Sequence, residues 1–159
     1  MGSGSGVVSI FAASKGAKCT AVDINPIAVR CVIENAALNN LDDKINAVES
    51  DLFVSLGSNH KAADRYDVIF FNPPYYKGVP KNNFERAFLA GDELDVISQF
   101  LAEAKNYLMQ KGKICIIVSS DMDLLDLENR FRSMGYSYNI AETVHKFLET
   151  FYIIESVTI

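Results

Sequence analysis

The residues with the clearest chemical potential are Asn72-Pro73-Pro74-Tyr75, which directly follow the short apolar run Tyr66–Phe71. Proline has a fixed φ and no N–H, so the carbonyls around Pro73 and Pro74 have few internal partners. Proline also biases the residue before it toward extended backbone, which keeps Asn72 out of any helix. The Asn72 side-chain oxygen and a neighbouring backbone carbonyl can then both accept hydrogen bonds from one planar –NH2 group. Tyr75 can stack on the flat system that carries this group. Such a set suits an exocyclic base amine or a side-chain amide, and suits a thiol or a carboxylate poorly. The competing reading of the same residues is a proline-rich turn beside a buried aromatic.

A second group of residues points to a nucleoside. Gly2, Gly4 and Gly6 precede Val7 to Ala13, and Lys15-Gly16 reads as a stop, so a glycine loop runs into a short helix. Glycine lets a backbone approach a ligand closely, and a helix N-terminus presents N–H groups to an anion. The spacing is GxGxG. The dinucleotide pattern GxGxxG would place its third member at Val7, counted from Gly2, or at Ser9, counted from Gly4. Asp23 ends the next strand, 18–23, at roughly the distance from the glycines at which an acid reads ribose hydroxyls, about 20 residues. Asp51-Leu52 follows a strand at 44–50 and brings another acid to a strand's carboxyl end. Taken alone, the glycines also fit a disordered leader, and Asp23 also fits a surface acid.

These residues need strands that deliver them to one edge. The run 66–71 has the length of a buried strand and is ended sharply by two prolines. In an open parallel sheet, ligands bind at the carboxyl ends of strands. Asn25 caps a helix that Pro26 opens, with Ile27, Val29, Val32, Ile33, Ala36 and Ala37 as its apolar side. Residues 92–109 form the longest predicted helix, Gly112 breaks it, and 113–119 is a buried strand. A helix at 122–134 closes on Gly135 as a left-handed cap. Two β-rich runs, 136–144 and 151–159, are joined by a short connection, which suits an antiparallel pair. Residues 58–65 read as a polar loop or frayed helix and 77–83 as a loop beside the substrate.

Composition bounds the rest. The 159 residues suffice for one domain with a real core. The net charge of −5 argues against gripping nucleic acid by bulk electrostatics, and leaves room for a local basic rim. Cys19, Cys31 and Cys115 form no CxxC pair and lie among apolar residues, which predicts reduced, buried thiols in a cytoplasmic protein. His60 and His145 are isolated and lack ligand spacing, so no metal is expected. No apolar run has membrane-spanning length, so no membrane partner is expected.

In this order, GSGSG at 2–6, AVDINPIAV at 21–29, NAALNNL at 35–41, SDLF at 50–53 and FNPPYY at 71–76 resemble the class I S-adenosylmethionine-dependent methyltransferases. Among these the chain is similar to the small-domain enzymes that include the release-factor glutamine methyltransferases. NPPY is shared with adenine-N6 enzymes, and close variants occur in guanine-N2 enzymes. The resemblance implies a Rossmann-like α/β sheet, mostly parallel, with a terminal antiparallel pair. It implies S-adenosyl-L-methionine as cofactor: Gly2, Gly4 and Gly6 at its methionine end, Asp23 on the ribose with Ile24 beside it, and Asp51 and Leu52 near adenine. It assigns Asn72, Pro73, Pro74 and Tyr75 to the target nitrogen, with Asn72 also beside the cofactor.

Only Met1 precedes Gly2, whereas the family places its central strand there, often after a substrate-recognition region. The expectation is therefore a single methyltransferase domain over 1–159, truncated at its N-terminus, with the first central strand missing. The implied substrate is a protein glutamine, by likeness of Phe84 to Asp92 to the release-factor enzymes. The alternative is an RNA or DNA base, met by a rim of Tyr76, Lys77, Lys81 and Arg86. A nicotinamide dehydrogenase accounts for the glycines and Asp23 but leaves NPPY unexplained. A non-catalytic, methyltransferase-like binding domain is the other rival.

Overall fold

The computed structural model describes residues 1–56, 65–74, 78, 81 and 95–159. Tyr75, Tyr76, Lys77, Arg86, His60, Phe84 to Asp92 and most of the expected loops at 58–65 and 77–83 lie outside the described residues. The chain divides into two compact units, Met1–Lys61 and Ala62–Ile159.

The first unit contains α1 (Val7–Ser14), β1 (Cys19–Asp23), α2 (Pro26–Leu38) and β2 (Ile45–Glu49). β1 and β2 pair in parallel, with Cys19 opposite Ile45 and Asp23 opposite Glu49. The two-stranded sheet ends at β1; among the described residues no further strand bonds to it. α2 begins as the sequence predicts, since Asn25 Oδ1 accepts the Ile27 N–H at 3.0 Å and Pro26 fills the first turn. Its buried face is narrower than expected. Val29, Val32 and Ala36 are buried, while Ile27, Ile33 and Ala37 face outward. A helix against one thin sheet covers a single stripe, here at i, i+3 and i+7. Val32 and Ala36 join Ala13, Ala21, Leu41 and Ile45 in the unit's core.

The second unit contains β3 (Tyr66–Phe71), α3 (Asp95–Ala104), β4 (Leu108–Ser119), α4 (Leu124–Ser133), β5 (Asn139–His145) and β6 (Thr150–Val157). Its sheet has the order β3-β4-β6-β5. β3 and β4 are parallel, while β6 runs antiparallel to both β4 and β5. Parallel pairs in each unit, β1 with β2 and β3 with β4, helices between the strands and a terminal antiparallel pair of β6 and β5 give the expected α/β class. β4 is one of the two inner strands, and Ile114, Ile116 and Val118 are fully buried along one side of it. Ile97, Phe100, Leu101, Leu127 and Phe131 are buried as well, and the buried Tyr136 hydroxyl donates to Leu101 O at 2.8 Å.

The expected helix over 92–109 is corrected here. α3 ends at Ala104, and Leu108 and Met109 belong to β4. The Tyr66 N–H donates to Tyr107 O at 2.7 Å, so strand pairing has begun where the helical pattern still seemed to run. Leu108 is buried, but from a strand. The longest described helix is instead α2, with 13 residues. Gly112 breaks no helix; it sits in an irregular stretch of β4. From Tyr66 to Val68 β3 advances two residues while its partner advances five, from Leu108 to Lys113, so three extra residues bulge out. Lys111 has φ +75° there, and a Cβ on Gly112 would lie 2.8 Å from Tyr66 O, so the close backbone approach requires glycine.

α4 is capped by Asp123, whose Oδ1 accepts the N–H groups of Leu125 and Asp126, and it closes on Gly135 at φ +82°.

Candidate active site

The first unit gathers the glycines and both acids at the carboxyl end of β1 and β2. Gly2, Gly4 and Gly6 have φ of +62°, +53° and +84°, so each takes the left-handed backbone that glycine permits. Gly6 is buried, and a Cβ there would press on Val32 at 3.1 Å. Gly4 is exposed with nothing within 4 Å of its would-be Cβ, leaving open space beside the loop.

Asp23 organises this loop. Its Oδ2 accepts the Gly4 N–H at 2.8 Å, and its Oδ1 accepts the Asn25 N–H at 2.9 Å. One carboxylate thus ties the glycine loop to the entrance of α2. A carboxylate oxygen has two lone pairs, so each retains capacity for a ligand hydroxyl. Ile24, half-buried, follows at the turn. Beyond β2, the buried Ser50 donates its N–H to Asp23 O at 2.9 Å, which sets the Asp51 segment beside β1's end. Asp51 is exposed; Leu52 is buried at φ +46°, an uncommon backbone for a branched side chain.

Sequence reasoning missed one member of the loop's support. Asn35, on α2, donates from Nδ2 to Ser5 O at 2.9 Å. Its place in NAALNNL was the available signal, but the sequence does not show which carbonyl it meets. Asn35→Ala should weaken cofactor binding by about three- to tenfold, the worth of one neutral hydrogen bond. Titration calorimetry read beside a melting curve checks this; unchanged affinity would leave Asn35 as a bystander.

In the second unit, Asn72 stands exposed at the carboxyl end of β3, one residue beyond the buried Phe71. Pro73 is buried and Pro74 half-buried, so the segment is anchored through its prolines while the amide faces solvent. Phe71 packs on Phe100 with ring centroids 4.6 Å apart, which fixes the strand end that carries Asn72.

The cysteines are free, but half-buried rather than buried. Burial pushes the Cys19 and Cys115 thiols up, so they stay protonated and poorly nucleophilic. Cys19 Sγ donates to Ser9 O at 3.5 Å. His145 is exposed and shares a hydrogen bond with Thr150 Oγ1 at 3.1 Å. No helix among the described residues is long and apolar enough to cross a membrane.

The Methyltransferase small domain family matches residues 1–148. The chain belongs to this family. It is 37% identical over 150 residues to a Methanocaldococcus jannaschii protein provisionally named a protein N5-glutamine methyltransferase, covering 89% of this chain and 71% of that one. It is 40% identical over 87 residues to the release factor glutamine methyltransferase of Fusobacterium nucleatum, covering 54% of this chain and 22% of the relative. Among solved structures, the T. thermophilus 16S rRNA N2 G1207 methyltransferase in complex with AdoMet and guanosine superposes with a TM-score of 0.72. At 21% identity, covering 100% of this chain and 36% of that one, it shares the fold. As a member of the methyltransferase small-domain family, the chain is an S-adenosyl-L-methionine-dependent methyltransferase. A carboxylate with spare lone pairs, left-handed glycines and open space at Gly4 fit that cofactor.

Proposed function

We propose that residues 1–159 form one methyltransferase domain that methylates a planar nitrogen, the side-chain amide of a protein glutamine in a cytoplasmic substrate. The observation that carries this reading is the exposed Asn72 amide held at a strand end by a buried Pro73. Asn72 Oδ1 and a carbonyl of the Pro73-Pro74 pair accept the two N–H bonds of the target –NH2 group and aim its lone pair. Tyr75 stacks on the amide plane. Gly2, Gly4 and Gly6 meet the methionine end of the cofactor, Asp23 accepts the ribose hydroxyls beside Ile24, and Asp51 and Leu52 flank adenine, with Asn72 next to the methyl.

S-adenosyl-L-methionine supplies a methyl group on a good leaving group, so the protein contributes alignment more than acid–base chemistry. The reacting nitrogen gains the methyl carbon and gives up one proton to solvent. The half-buried thiols of Cys19 and Cys115, held protonated, and the exposed His145 agree with this division of labour.

The glutamine assignment is supported by the likeness to the M. jannaschii and F. nucleatum proteins. A nucleic-acid base is the second reading, favoured by the structural likeness to the rRNA enzyme. Transfer of radiolabelled methyl from the cofactor to bacterial release factor and to total RNA separates them. Label in release factor is expected; label confined to RNA would reverse the choice.

A further inference from the structure

The turn between β5 and β6 is built from residues that do nothing for a turn. The Lys146 N–H donates to Glu149 O at 2.8 Å and the Glu149 N–H returns to Lys146 O at 3.4 Å, leaving Phe147 and Leu148 as the two central residues. Two-residue hairpin turns favour Asn, Asp and Gly, usually with positive φ. Neither Phe147 nor Leu148 has positive φ, and their side chains are 99% and 90% exposed. Single exposed apolar residues are ordinary, but an adjacent Phe-Leu pair at the tip of a turn is not explained by folding.

The tip is held firmly. Ser120 N–H donates to Thr150 O at 2.7 Å, Thr150 N–H donates to Ser120 Oγ at 3.2 Å, and Ser119 Oγ bonds Glu149 Oε1. Two apolar side chains on a pre-organised mount are what a recognition anchor requires.

Sheet register places this anchor at the same end of the unit as Asn72. Phe71, Ile116 and Ile154 lie in one row across β3, β4 and β6. Asn72 is one residue past that row. Along β6 the same direction leads through Phe151, opposite Ser119, to the turn. With strands about 4.8 Å apart and about 3.3 Å per residue, the tip stands roughly 15–20 Å from Asn72. An extended polypeptide covers this in roughly five residues.

Charge decides the occupant. Around the tip, the turn itself carries Lys146 and Glu149, and the exposed Asp121 follows Ser120, whose N–H and hydroxyl bond Thr150. A phosphate backbone gains affinity by neutralisation on several cations, which the described residues around the tip do not offer.

We propose that Phe147 and Leu148 form a docking anchor for the polypeptide substrate, gripping an apolar side chain about five residues from the glutamine that meets Asn72. This rests on the glutamine reading above, and the experiment separates the two. Arrays of 15-residue peptides with a central glutamine and all other positions randomised would be probed with the wild-type chain and with Phe147→Ser/Leu148→Asn. Wild type should prefer an aromatic or aliphatic residue four to six positions from the glutamine. The double variant should lose that preference and bind the best peptides about tenfold more weakly, with melting temperature and S-adenosyl-L-methionine affinity unchanged. Phe147→Tyr/Leu148→Met should retain it.

No positional preference in wild type, or its survival in the double variant, would overturn the anchor. Weaker binding of total tRNA with peptide binding intact would overturn the choice of a polypeptide. Replacing the central glutamine by alanine tests the other reading: an apolar preference that survives with undiminished affinity removes glutamine as the target and leaves the anchor standing.

Discussion

Asn72→Ala is expected to slow methyl transfer about a hundredfold, with cofactor affinity and melting temperature nearly unchanged. Asn72 is exposed past the end of β3, so its side chain contributes no core packing. In the proposed role it supplies one of two acceptors for the target –NH2 group, and without it the nitrogen would be held at one point and rotate off line. A structural asparagine would behave differently, lowering stability and slowing the reaction together. Single-turnover rates, cofactor Kd and melting temperature, measured on the same variant, distinguish the cases. A rate within a few-fold of wild type, or a large loss of melting temperature alongside the rate loss, would remove Asn72 from the catalytic role.

Asp23→Ala should have the largest effect on cofactor binding. The carboxylate accepts the Gly4 and Asn25 backbone N–H groups at 2.8 and 2.9 Å, and the proposed ribose hydroxyls as well. Hydrogen bonds to a charged acceptor contribute about 1.5–3 kcal/mol each, so a loss of about 10- to 100-fold in affinity is the expected floor. A lower melting temperature should accompany it, because the loop loses one of its ties to β1. Asp23→Asn should fall between, since its amide oxygen still accepts one N–H. Comparing S-adenosyl-L-methionine with an analogue lacking the ribose hydroxyls isolates the ligand's share. If wild type and Asp23→Ala discriminate equally between the two, Asp23 serves the loop alone.

Much of this was legible in the chain. Strands 18–23 and 66–71 are short apolar runs with sharp punctuation, and the Asn25-Pro26 start of α2 is local chemistry that tertiary contacts did not alter. Leu108 was misplaced because a buried strand residue can fall on the helical period of the preceding helix, and only pairing with β3 reveals the switch. The apolar side of α2 was overcounted because sequence periodicity does not record how many layers cover a helix. Asp23 was legible as an acid at a strand end, but its bonds to Gly4 and Asn25 depend on loop geometry. The left-handed Leu52, the Asn35 bond to Ser5 and the Phe147-Leu148 tip depend on long-range register or backbone conformation, which residue types do not encode.

The way the glycine loop spends its own amides bears on which cofactors it will refuse. Ser3 N–H donates to Val22 O, Gly4 N–H to Asp23 Oδ2 and Gly6 N–H to Ser3 O, all within 2.9 Å. A loop that cradles a pyrophosphate works by turning such amides outward as an anion nest. Here three of them are already committed, and a carboxylate sits among them. A doubly negative diphosphate therefore meets few donors and a like charge, whereas a ligand carrying a sulfonium and an ammonium meets an attractive field. On the proposed assignment of this loop to the cofactor, the direction of its N–H bonds is expected to favour a cationic nucleoside over the nicotinamide dinucleotide that its short glycine spacing superficially suits.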